Sequence, residues 1–183
     1  MVKKLACIFS FLFIIYPAFA QKTDRNKNNQ KHYSNSISLN VDLPIGYFFK
    51  THSIGIGINY LWSDRRLGRL NYFPDNPFGF IFNTGADLFF GKTDSYNVSY
   101  GGYLYIHLYG GGIFNPSAKV NISLTAGPML RIYKGDSQLG IGADLRGSYA
   151  MSNRISIATV ITITKEKDAD PFYIGSLQVS FAF

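Results

Sequence analysis

The sequence predicts an all-β protein: a closed, antiparallel, up-and-down transmembrane β-barrel of about eight strands. Three observations carry that expectation. From Tyr173 to Phe183 apolar residues, Gly175 apart, recur at every second position and the chain ends on an aromatic ring. The same alternation, with no competing helical period, repeats in segments separated by turn chemistry from Asn35 onward. An apolar segment with a basic start precedes it all.

That leading segment is the first element. Lys3 and Lys4 form a positive start, Leu5 to Ile15 an apolar run, and Ala18-Phe19-Ala20 a small-x-small site before Gln21. Residues 1–20 are therefore expected to be a cleaved secretory signal peptide. A retained helical anchor is the alternative, but the run falls short of the roughly 20 apolar residues that a bilayer-spanning helix needs. The single cysteine, Cys7, lies inside this segment. Cleavage would leave a chain without thiols, which excludes disulfides, cysteine nucleophiles and thiolate metal sites. Losing Lys3 and Lys4 leaves 16 basic against 11 acidic residues, so the formal charge falls from +7 to +5. Residues 21–34 are polar and basic and read as a disordered lead-in. Nucleic acid is a poor partner for an exported chain, and the basic clusters read as solvated loop charge or as contacts to anionic headgroups.

Residues 35–183 hold the expected barrel. Its strands run roughly from Ser36 to Leu43, Ser53 to Trp62, Phe78 to Phe90, Tyr96 to Tyr109, Ala118 to Ile132, Leu139 to Ala150, Ile155 to Thr164 and Phe172 to Phe183. Between them lie Gly91-Lys92-Thr93-Asp94, Gly110 to Pro116, Lys134-Gly135-Asp136, Ser152-Asn153 and Asp168 to Pro171, all rich in turn formers. The Ser63 to Pro77 connection, with Arg65, Arg66 and Arg69, is the least regular.

Alternate residues of a strand share a face. One face collects Ile37, Leu39 and Val41, then Ile54, Ile56 and Ile58, and continues through Ile161, Ile163 and Leu177 without an Asp, Glu, Lys or Arg. The other carries Asp42, Asp87, His107, Lys119, Arg131, Asp144, Arg146 and Arg154 among asparagines, serines and glycines. A soluble barrel of the lipocalin kind would hide the apolar face; a membrane barrel turns it outward. Aromatic placement favours the second. Tyr60, Trp62, Phe78, Phe90, Tyr96, Tyr149, Tyr173 and Phe183 sit at strand ends on the apolar face, where membrane interfaces favour rings. An open sheet edge in hydrocarbon would strand unpaired backbone groups, so the sheet must close.

On these features the chain resembles the small eight-stranded outer-membrane β-barrels of Gram-negative bacteria, the porin-like outer membrane protein β-barrel domain family. The resemblance implies residence in the outer-membrane bilayer and insertion by the barrel assembly machinery, with Leu177, Val179, Phe181 and Phe183 as the strand read by that machinery. It also implies termini on the periplasmic side. The connection from Ser63 to Pro77 would then be a long one on the inner side, where such loops are usually short.

Eight strands enclose an interior about wide enough for side chains to fill. Asp42, Asp87, His107, Lys119, Arg131, Asp144, Arg146 and Arg154 are therefore expected to form a structural polar network in the lumen, because buried charges need partners. Glycines such as Gly55, Gly57 and Gly142 leave room for Phe89, Tyr103 and Tyr105. The expected role is structural or limited, porin-like transport by a monomer. Ligand binding or transport through the lumen, surface recognition through outer loops such as Lys165 to Asp168, and barrel hydrolase or acyltransferase chemistry are the alternatives. No catalytic set, cofactor or metal site is expected. His107 could join Asp144 or Ser123 only as a weak hydrolytic constellation, His32, His52 and His107 lack ligand spacing, and Gly110-Gly111-Gly112 lacks the residues of a phosphate loop and reads as a turn.

Overall fold

The computed structural model describes residues 35–64, 77–93, 95–117, 119–166 and 170–183. The expected signal peptide, the polar lead-in, Arg65, Arg66 and Arg69, most of the connection around them, and Lys167 and Asp168 lie outside the described residues. The rest forms β1 (Asn35–Ile45), a one-turn helix α1 (Phe48–Thr51), β2 (His52–Ser63), β3 (Phe78–Gly91), β4 (Tyr103–Phe114), β5 (Val120–Tyr133), β6 (Asp136–Ala150), β7 (Ile155–Glu166) and β8 (Phe172–Ala182). Each strand pairs antiparallel with the next, and β8 returns to β1, closing the barrel. The closing seam is continuous from Ser36 opposite Ala182 to Ile45 opposite Tyr173. Among the described strands no edge is left open, as hydrocarbon surroundings require.

Local chemistry explains the register. Lys134 and Gly135 both take positive φ, 50° and 87°, between the paired residues Tyr133 and Asp136. Two such residues make the two-residue hairpin whose twist matches the strands it joins. Pro44 and Pro128 are tolerated where ladder bonds are missing. The β1–β2 pairing stops at Asp42 opposite Gly55, before Pro44. The β4–β5 pairing breaks between His107 opposite Met129 and Gly110 opposite Ala126, where Pro128 has no N–H to offer.

One element differs from expectation. The fourth strand is displaced toward the C-terminus: it begins at Tyr103 rather than Tyr96, and Gly110-Gly111-Gly112 is strand rather than turn. These glycines lie opposite Phe82, Ile81 and Phe80 on one side and Ala126, Thr125 and Leu124 on the other. Gly111 has no room for a Cβ, which would collide with the backbone of Leu124 and Thr125. The triplet thus permits close strand approach. Residues 95–102 instead belong to a connection held by a Thr93–Ser99 bridge, with Asn97 at a φ of 61°. Tyr96 accordingly leaves the barrel face assigned to it by alternation. Gly101 lies beside Lys134.

The two faces sort without ambiguity. Leu139 is 73% exposed and Leu124 62%, whereas Ser38 is fully buried and Asp42 1% exposed. The apolar face points out and the polar face in, the reverse of a soluble barrel. Phe78, Phe90, Tyr149, Tyr173 and Phe183 all stand on that outer face.

Candidate functional site in the barrel lumen

The interior is built by alternation. Asn40 and Asp42 on β1, Asp87 and Phe89 on β3, Tyr105, His107 and Tyr109 on β4, Asp144 and Arg146 on β6, and Thr162, Thr164 and Glu166 on β7 are all buried. They stack in layers along the barrel axis.

At the barrel end opposite Asn35 and Phe183, α1 folds Phe48 inward as a lid. Its ring meets Phe89 and Tyr103 at 5.1 Å, Phe172 at 4.8 Å and the His52 imidazole at 4.6 Å. Ring pairs at such separations are mutually favourable. Thr51 Oγ1 holds the turn by donating to the Phe48 carbonyl at 3.1 Å and lies 2.9 Å from His52 Nδ1. His52, read from the sequence only as lacking ligand spacing, is thus a buried member of this cap.

Beneath the cap Arg131 Nη1 meets Glu166 Oε2 at 3.0 Å, and the Tyr103 hydroxyl donates to Glu166 Oε1 at 2.9 Å. Glu166 had read as part of an exposed charged loop tip. Two further residues of β7 carry it into the lumen instead, where it is 4% exposed while Lys165 faces out. The signal was available: Thr162, Thr164 and Glu166 continue the inward period of two.

The middle layer is acidic. Asn40 Nδ2 donates to both Asp42 oxygens at 2.8 Å and to Asp87 Oδ1 at 2.6 Å, while Asn59 Nδ2 donates to Asn40 Oδ1 at 3.2 Å. His107 Nδ1 stands 3.5 Å from Asp87 Oδ2, and the ring lies between Tyr105 and Tyr109, whose hydroxyls bond to each other. His107 is opposite Gly85 and Met129, well inside the barrel. Its carboxylate contact is with Asp87, not with the Asp144 or Ser123 considered from sequence. Asp144 accepts from Thr162 Oγ1 at 2.7 Å and Asn83 Nδ2 at 3.0 Å.

Toward Asn35 and Phe183, Arg146 Nη2 donates to Ser180 Oγ at 2.8 Å, and Ser180 pairs with Ser38 at 2.7 Å. Leu61, Ile81 and Ile113 then close this end with a small apolar cluster. No sequence pattern marked these three, because they break the polar-inward rule that identified the rest.

Glycines make the filling possible. A Cβ at Gly142 would meet the hydroxyls of Tyr109 and Tyr105, one at Gly57 would meet Asp87 and Asn40, and one at Gly55 would lie 2.7 Å from the Phe89 ring. Large inward side chains therefore lie over bare backbone.

Two residues expected in this network are elsewhere. Lys119 precedes β5 and is exposed, its ammonium 6.0 Å from the Tyr149 ring centre on the rim. Arg154 lies in the exposed β6–β7 turn, where Ser152 Oγ accepts from its backbone N–H at 3.2 Å. Each lies one residue before the start of a strand, Lys119 before Val120 and Arg154 before Ile155. Leu177, Val179, Phe181 and Phe183 all face outward at the C-terminal end of the chain.

Among the described residues no group of three His, Cys, Asp or Glu side chains is placed to hold a metal ion. A void at the middle layer, lined by Asn40, Asp42, Asn59, Asp87, His107 and Gln178 among others, has room for about one water molecule.

No protein-family model matches the sequence, and no curated protein matches it. Solved structures do match the fold. The N-terminal β-barrel domain of Pseudomonas aeruginosa OprF superposes with a TM-score of 0.57 at 12% identity, over 84% of this chain and 100% of that one. Neisserial surface protein A superposes at 0.55 and 13% identity, over 84% and 100%. Ail, the attachment invasion locus protein of Yersinia pestis, solved in complex with the heparin analogue sucrose octasulfate, superposes at 0.55 and 13% identity, over 83% and 98%. The likeness is one of fold: the chain carries the closed eight-stranded barrel of outer-membrane proteins.

Proposed function

We propose that the protein is an integral outer-membrane β-barrel, monomeric in the bilayer, with a structural role and a lumen that does not conduct. The filled interior carries this reading: a ring cap, the Arg131–Glu166 pair, the acidic layer, Arg146 and the Leu61 cluster follow one another from end to end. A porin needs a continuous aqueous path, and a pocket for a drug-sized ligand needs about 300 Å³ or more. Neither fits the roughly one-water space at the middle layer. The outer face supports bilayer residence. Leu39, Ile58, Leu124, Leu139, Ile161 and Leu177 would each forfeit about 1.5–3 kcal/mol in water relative to an apolar medium. Ail, a barrel of the same fold, has been solved in a phospholipid bilayer nanodisc.

Export through residues 1–20 and insertion by the assembly machinery belong to the same reading. Support for the second comes from the outward row Leu177, Val179, Phe181 and Phe183 on the last strand. Reconstitution in planar bilayers tests the role: the account expects folded, heat-modifiable protein with no discrete conductance, and regular single-channel steps would overturn it.

One observation favours a second reading, recognition of anionic glycans or headgroups at the rim away from the termini. Lysines lie over rings there, Lys92 at 3.9 Å from the Phe49 centre, Lys134 at 5.4 Å from Tyr133 and Lys50 at 5.6 Å from Tyr47. Ail was solved with a sulfated sugar. Loss of binding to immobilised heparin in a Lys50→Ala, Lys92→Ala, Lys134→Ala variant, with unchanged heat-modifiable mobility, is the result this reading expects.

A further inference from the structure

We infer that the lumen holds one small monovalent cation between Asp42 and Asp87. The inference needs only the barrel interior, not the residence or role proposed above. Asp42 and Asp87 are 1% and 6% exposed, and a single amide, Asn40 Nδ2, donates to both. Buried carboxylates require compensating charge. Among the described residues the lumen arginines lie elsewhere, Arg131 on Glu166 and Arg146 on Ser180. His107 Nδ1 is 3.5 Å from Asp87 Oδ2, and a single imidazole can offset at most one of the two carboxylates.

A second observation points to the occupant. Asn59 Oδ1 and Gln178 Oε1 have no hydrogen-bond partner among the described residues, both side chains are more than nine-tenths buried, and both residues line the same void as the two aspartates. Ser176 also bonds to Asp42, yet the acceptor oxygens of the site still outnumber its donors and positive charge. Water would supply donors but no charge. A hard cation meets both needs, since such ions take carboxylate and amide oxygens. The space admits one particle of about the size of water. Only two carboxylates share Asn40, and no group of three acidic or histidine ligands is placed for a metal among the described residues, which favours a monovalent over a divalent ion.

The test uses the barrel folded into phospholipid vesicles at fixed pH and ionic strength, with sodium, potassium or N-methylglucamine as the only cation. The expected result is a urea-unfolding midpoint that is higher in sodium or potassium than in N-methylglucamine for the parent protein. That difference should vanish in Asp42→Asn and Asp87→Asn and shrink in Gln178→Leu, which keeps both carboxylates should either charge variant fail to fold. Crystals grown with thallium(I) should show one anomalous peak between the two aspartates. Identical midpoints in all three cations, or no such peak, would overturn the inference. So would a midpoint that responds to pH but not to cation, which assigns the compensating charge to a shared proton.

Discussion

Glu166 is the residue whose environment most constrains the chain. It accepts from Tyr103 and pairs with Arg131, so removing one partner strands a buried charge. Arg131→Ala should destabilise the barrel by about 3–5 kcal/mol, whereas a double Arg131→Met, Glu166→Leu variant should recover most of that loss. Urea unfolding in lipid vesicles measures both, and equal destabilisation by the two variants would contradict the pairing. Gly142 makes a second residue-scale claim. Replacing it with alanine drives a methyl group into Tyr109, and overpacking of that kind costs about 1–3 kcal/mol. Gly147→Ala is the control, because its nearest neighbour would be Thr159 Oγ1 at 3.9 Å. Asp42, Asp87, His107, Arg131, Asp144 and Arg146 were legible as inward residues from alternation alone. Lys119 and Arg154 were not, because alternation gives the phase of a strand but not its last residue. Glu166 was missed for the same reason, at the other end of the same ambiguity.

At the scale of elements, phase was readable and extent was not. All eight strands exist with the faces expected, but β4 runs from Tyr103 to Phe114 rather than from Tyr96 to Tyr109. Three consecutive glycines are ordinarily a turn signal, and only the crowding of Gly111 against β5 makes them a strand here. Such crowding depends on the partner strand and leaves no trace in local sequence. The hairpin at Lys134-Gly135 was readable, since its composition matches its backbone. Gly135→Val should therefore weaken the β5–β6 hairpin, observed as faster hydrogen exchange at the paired Tyr133 and Asp136, while Ser137→Val leaves it unchanged. The outer face makes a larger prediction. Ile161→Lys, near the middle of β7 and 52% exposed, should destabilise the bilayer-inserted barrel by about 2–4 kcal/mol. Added lysine at Lys119's rim position is tolerated already.

The whole molecule inverts the arrangement of a soluble barrel. Its outer wall is aliphatic, its interior is a stack of polar layers under a ring cap, and closure of β8 on β1 leaves no free edge among the described strands. Fold class followed from the sequence because a period of two, a clean apolar face and aromatic strand ends all pointed to one architecture. The filling of the lumen did not follow so directly, since it rests on which glycine faces which ring across strands distant in sequence. Site-directed spin labelling in phospholipid vesicles tests the central claim most directly, with single cysteines in a form lacking residues 1–20 and therefore Cys7. Labels at Leu39, Leu124, Ile161 and Leu177 should be readily relaxed by lipid-dissolved oxygen and barely by a water-soluble nickel chelate, with labels at Tyr96 and Asn153 showing the reverse. Outer-face labels relaxed by the chelate as strongly as Tyr96 and Asn153 would show that the aliphatic wall does not meet lipid, and the account would fail.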